Sequence, residues 1–127
     1  MSFEHGLTKE QIRERLRVQQ RWITDSRTDI FASAVGEKVT RYIVNVRLFG
    51  DNTSNRIAKF EKKEEDGTYT MKYSYIHIGQ TTNVKLQDNS DFEKPILILH
   101  GGSNLTGSIL VGASVAATVE YWDDTIR

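Results

Sequence analysis

The chain contains no cysteine. That excludes disulfides, thiolate metal sites and a cysteine nucleophile, and it leaves the redox compartment open. Net charge is missing as well: 17 Lys and Arg residues balance 17 Asp and Glu residues. The total therefore gives no long-range attraction to nucleic acid or to an anionic membrane, and any charge argument must be local. No apolar run approaches the roughly 18 residues that span a bilayer. The opening residues, MSFEHGLTKEQ, lack the basic-then-apolar order of a signal peptide, so an unexported protein is expected.

The usual signatures of catalysis are also scarce. His5, His77 and His100 are far apart, and none belongs to a pair spaced to hold a metal on a helix. His100 precedes Gly101, Gly102 and Ser103, but no nucleophile elbow or orienting acid accompanies that serine, so the histidine reads as a strand-end residue entering a loop. The glycines lack the lysine and the following helix of a phosphate loop. Asp88, Asn89, Asp91 and Glu93 offer oxygens that suit calcium, yet the spacing of a calcium loop is absent and a solvated loop is the simpler reading. No cofactor or metal is expected.

What is present is strand grammar. At 127 residues the chain is one domain's worth, large enough to bury a real core. Residues 101–122 are the clearest stretch: Val115, Ala117, Val119 and Tyr121 alternate with Ala116, Thr118, Glu120 and Trp122, the period of a strand with one face on a core. Gly107 interrupts the preceding strand, and Gly112-Ala113 suits a hairpin turn or bulge. In residues 39–49, Tyr42, Val44, Val46 and Leu48 alternate with Arg41, Ile43, Asn45 and Arg47, which predicts the first set in the core. Residues 30–35, 56–62, 68–78 and 81–86 are further candidates, separated by the polar loop at 50–55, the Asp66-Gly67 turn and the loop at 87–93. Pro95 opens the apolar run 96–99, which predicts a strand covered on both faces, with Ile96 and Ile98 in the core.

The amino end reads differently. Thr8 followed at the third position by Gln11 is a capping box, and Leu7 is placed to meet Ile12 as a hydrophobic staple. Ile12, Leu16, Gln19 and Ile23 then make a thin apolar stripe on a helix of about 15 to 18 residues. Arg13, Arg15, Arg17, Arg21 and Arg27, with Lys9, outnumber Glu10, Glu14 and Asp25. A charge-rich face reads most simply as solvated. A DNA-reading helix sits in a helical motif or a zipper, not alone before a β body, so nucleic acid is not the expected partner.

The expected architecture is all-β: an antiparallel β-sandwich, jelly-roll-like, of about seven or eight strands. An N-terminal α-helical arm, residues 1–28, precedes a sandwich domain, residues 29–127. Ile12, Leu16 and Ile23 with Arg13, Arg17 and Arg21 are the expected partner-binding residues, docking the arm in a groove on another protein. Ile43, Phe49, Ile76 and Ile78 add more apolar surface than a wetted face needs, which predicts a homo-oligomer.

The strand patterns at residues 42–49, 96–99, 104–112 and 115–121, with the closing Tyr121-Trp122 and the acidic Asp123-Asp124, resemble small β-sandwich virion proteins of tailed bacteriophages. The resemblance covers about residues 39–124. It implies a non-catalytic structural role in capsid decoration or cement, or in a neck or tail part. It also implies assembly by oligomeric contacts with a trimer as the leading arrangement, other virion subunits as partners, and synthesis in the host cytoplasm. The N-terminal helix departs from many short members. A second expectation from the same architecture is a carbohydrate-binding, lectin-like module, with Tyr69, Tyr73 and Tyr75 stacking on sugar rings.

Overall fold

A computed structural model describes residues 7–49, 57–77, 83–85, 95–111 and 115–125, with 71–77, 83–85 and 111 described by their backbone. One helix, α1 (Lys9–Arg15), precedes nine strands: β1 (Arg17–Ile23), β2 (Thr28–Asp29), β3 (Val39–Phe49), β4 (Ile57–Lys63), β5 (Tyr69–His77), β6 (Asn83–Lys85), β7 (Leu97–Leu99), β8 (Asn104–Val111) and β9 (Val115–Thr125). All the pairings between them are antiparallel.

The strands form two sheets. One runs β1-β9-β3-β6, with β7 also on β3, and the other runs β2-β8-β4-β5. Leu97 to Leu99 and Asn83 to Lys85 pair with successive stretches of the same edge of β3, so β6 and β7 act as two pieces of one edge strand. Counted that way, eight strands pass between the sheets in the order of a jelly roll, with only the β4-β5 hairpin staying within one sheet, as the sequence predicts.

The core lies between the sheets. Ile43, Val46, Leu48, Val115, Ala117 and Val119 from the first sheet meet Ala58, Phe60, Leu105 and Ile109 from the second, with Ile23, Ile30 and Phe31 closing one side. Gly107 has a packing reason: a Cβ there would stand 3.0 Å from Ile23 Cγ2 and 3.1 Å from Phe60 Cε1. Where the chain leaves β2, Asn104 imitates a strand. Its Nδ2 donates to the Phe31 carbonyl at 3.0 Å while its Oδ1 accepts from the Phe31 N–H at 3.4 Å.

Four expectations need correction. The helix is shorter than its stripe implied: Leu16 caps it in an extended conformation, φ −62° and ψ 133°, and residues 17–23 form an edge strand against β9. Val18, Trp22 and Ile23 favour strand, and pairing with β9 outweighs a thin helical stripe. The segment at 30–35 is buried irregular chain, with the strand confined to Thr28 and Asp29. In β3 a register shift between Ile43 and Asn45 makes Val44 the extra residue of a bulge. Ile43, Val46 and Leu48 therefore face the core, while Tyr42 and Val44 face outward. In β7 the inward residues are Leu97 and Leu99, and Ile98 stays 37% exposed. The loops at 50–55 and 87–93, the Gly112-Ala113 turn, Ile78 and the side chains of Tyr73, Tyr75 and Ile76 lie outside what is described.

Candidate assembly surface

The outer face of the β1-β9-β3 sheet differs from end to end. At one end α1 lies on it. Thr8 caps the helix as expected, its hydroxyl accepting from the Gln11 N–H at 3.2 Å and the Gln11 side chain accepting from the Thr8 N–H at 2.8 Å. Ile12 is fully buried against Val44 and Trp122, with Leu7, Leu16 and Tyr42 around them. Tyr42 and Trp122, opposed across β3 and β9, stack with ring centroids 4.3 Å apart. Arg15 reaches Asp124 at 3.8 Å.

At the other end the face is open. Trp22 of β1 is opposite Ala116 of β9, and Ala116 is opposite Phe49 of β3. The three form a row across three strands, about 10 Å from end to end at ordinary strand spacing. Ala116 is buried, while Trp22 is 65% and Phe49 37% exposed. Val18 shares this face, because alternate residues of a strand point the same way, and it is 63% exposed. A small floor residue between two aromatic residues makes a shallow seat for an apolar side chain.

The expected partner-binding residues do not form one stripe. Ile12 and Leu16 belong to the cluster under α1, and Ile23 is fully buried in the main core. Buried in the fold, Ile12 and Ile23 are not on the surface of the free chain. Arg13, Arg17 and Arg21 are exposed, and Arg17 and Arg21 occupy the β1 face opposite to Val18 and Trp22. Val18 and Trp22 were missed because a helical reading places them off the stripe. Their own spacing of four was the available signal of a second apolar face.

The outer face of the other sheet is polar. Glu61 is 1% exposed, yet Arg27 donates to both its oxygens, Nε to Oε1 at 3.0 Å and Nη2 to Oε2 at 3.4 Å. Lys59 Nζ stands 3.4 Å from Oε1. Burial pushes the carboxyl up, but the Arg27 hydrogen bond and the charges of Lys59 and Arg27 outweigh it and hold Glu61 below the usual carboxylate range. The Arg27 guanidinium also lies 3.9 Å from the centre of the Tyr69 ring, so one face of that ring is already occupied.

A recess of about 320 Å³ beside Leu16 is lined by Glu14, Arg15, Arg17 and Asp123, a balanced set of charges without a nucleophile and base in contact. Ser103 is buried, and its link to His100 is a turn hydrogen bond between backbone atoms, 2.9 Å. Among the described residues no three His, Asp or Glu side chains gather as metal ligands, and no helix is long and apolar enough to cross a membrane.

Comparison with known proteins gives no match to a family profile or to a curated sequence. Solved structures show likeness of shape. A protein of Bacillus endospore appendages, described as disulfide-linked pili, is 9% identical with a TM-score of 0.49, over 88% of this chain and 86% of that one. The core of Drosophila NLP, described in connection with pentamer formation and histone binding, is 13% identical with a TM-score of 0.48, over 88% and 97%. A pentameric capsid protein from metagenomic phage sequences is 12% identical with a TM-score of 0.41, over 94% and 69%. No function passes to this chain from them.

Proposed function

We propose that this protein is a structural subunit that acts by self-assembly, and that its place is in a virion, in capsid decoration or in a neck or tail part. The observation that carries the assembly role is the open row of Trp22, Ala116 and Phe49 with Val18 beside it. Large side chains left in water forgo about 1.5–3 kcal/mol each relative to burial. Tryptophan is also the residue type most enriched among the anchors of protein interfaces. The exposed Arg13, Arg17 and Arg21 would orient a partner by pairing with acidic groups. The virion placement, the trimer and the other virion subunits as partners follow the sequence resemblance, with which the jelly-roll strand order agrees.

Light scattering on the purified chain tests this reading. A stable oligomer supports it, and the mass separates a trimer from other copy numbers. A monomer at millimolar concentration removes it. The carbohydrate-binding alternative loses one face of Tyr69 to Arg27; strong binding of a single sugar on a glycan array would restore it.

A further inference from the structure

We propose that β1 is a self-complementary edge, through which two copies of the chain join antiparallel about a twofold axis at Gln20. The inference rests on the assembly role above and names the partner and the register for it; with one β1 per chain, a twofold joint gives a dimer or an even copy number in place of the trimer. β1 ends its sheet, with β9 on one side and no strand on the other among the described residues. Its pairing with β9 runs without a register shift from Arg17 to Ile23. It carries neither proline, lysine nor a bulge, and its only charged residues are Arg17 and Arg21 on the Ile23 face, so its open backbone groups can receive another strand only in a register that keeps those arginines from opposing each other.

The side chains select how that strand lies. When two copies continue one sheet about an axis perpendicular to it, directly opposed residues share a face. An even position can then oppose only an even one, and an odd position only an odd one. A register centred on Gln19 sets Arg17 against Arg21 on both sides of the axis. One centred on Arg21 sets that arginine against its own copy. Like charges directly opposed are destabilising, so both are disfavoured. Centred on Gln20, all seven residues of β1 overlap. Val18 then opposes Trp22, Gln19 opposes Arg21, Arg17 opposes Ile23, and Gln20 meets its copy.

No arginine faces an arginine in that arrangement. Val18 and Trp22, at 63% and 65% exposure the most open large apolar residues described, cover each other twice. Larger slips leave three-residue overlaps. The charges thus disfavour the neighbouring registers, in which arginines oppose directly instead of diagonally, and the apolar pair rewards the remaining one.

The absence of cysteine makes the test clean. Opposed residues of an antiparallel pair have Cα atoms about 4.5–5.5 Å apart, inside the range a disulfide bridges, whereas diagonal neighbours at about 7–8 Å fall outside it. Under mild oxidation Gln20→Cys should give a covalent dimer at least tenfold faster than Gln19→Cys, whose thiols are diagonal in this register. In a second arm, Val18→Lys, which meets Glu120 of β9 across the pair instead of a like charge, should weaken self-association at least tenfold while leaving the melting temperature of the dilute, unassociated chain unchanged. Equal rates for the two cysteine variants, or a Gln20→Cys protein that stays monomeric, would overturn the proposal. If light scattering meanwhile shows an oligomer, assembly stands and only the β1 contact falls; if it shows a monomer, both fall.

Discussion

Arg27 and Glu61 are joined at two points across the outer face of the β2-β8-β4-β5 sheet, one partner 47% and the other 2% exposed at the side chain. The pair ties the chain following β1 to the middle of the sandwich, and it sets a pH dependence. Glu61 has its folded pKa below its ordinary value of 4.5. The unfolded chain therefore binds its proton first as pH falls. The stability this provides is fully present above about pH 4.5 and is lost as pH drops through the lower folded value. Melting temperature followed from pH 7 to pH 3 should fall at the acid end, and Glu61→Gln should melt lower at pH 7 with a flatter acid limb. An unchanged acid limb in the variant would show that Glu61 does not carry the effect.

The amino end belongs to the fold, so its removal should be destructive. Ile12 and Ile23 are both fully buried, and each change to Ala should cost about 2–5 kcal/mol, a large part of a total near 5–15. Deleting residues 1–27 removes both, along with a strand paired with β9. The truncated protein should be insoluble or unfolded. A soluble truncation melting within a few degrees of the full chain would restore a detachable docking arm.

Gly107 should resist enlargement. Two core side chains stand at 3.0 and 3.1 Å from where its Cβ would be, so Gly107→Ala must push Ile23 or Phe60 aside, at about 1–3 kcal/mol. Denaturant unfolding measures the loss directly. An unaltered midpoint would mean that the core beside β8 has room.

The parts of the fold legible in the sequence are those decided by local chemistry. Thr8 and Gln11 name the start of α1, Asp66 and Gly67 name a turn in which Gly67 has φ 90°, and the alternation of β9 puts Val115, Ala117 and Val119 inward as observed. Long-range pairing decides the rest. The strand preference of Val18, Trp22 and Ile23 does not by itself stop the helix at Arg15; pairing with β9 decides it. One extra residue, Val44, reverses the faces of half of β3, and a period count has no access to it. Glu61 reads as a wetted residue until Arg27, 34 positions away, comes to meet it. The open apolar row shares that limit, because Trp22, Ala116 and Phe49 are brought side by side only by the order of strands in the sheet.

Position 46 tests the face assignment after the bulge. Val46 is 1% exposed, in the main core cluster, so Val46→Asp buries a charge without a partner and should abolish folding. Val44→Asp should also destabilise, through the separate cluster with Ile12 and Trp122. Loss of α1 helicity before the sheet melts, seen in Val44→Asp alone, would distinguish the two clusters. Identical unfolding in both variants would mean that they act as one core.

The open row makes the opposite kind of prediction, in which stability and assembly separate. Trp22 is 65% exposed, so Trp22→Ser removes little packing from the free chain and should leave stability within about 0.5 kcal/mol, as surface changes usually do. If the row is a contact, the same change deletes an anchor of the kind whose loss commonly costs 2 kcal/mol or more of binding, about thirtyfold in affinity. Phe49→Ser should act in the same direction, more weakly because that ring is already partly covered. Thermal melting and light scattering on the two variants read the two quantities independently. A Trp22→Ser protein with unchanged melting and a smaller assembly puts Trp22 in the contact; a parallel loss in Phe49→Ser places that contact on the β1-β9-β3 face, and no loss there leaves it at the β1 edge. If the assembly persists undiminished in both variants, the contact lies elsewhere on the sandwich.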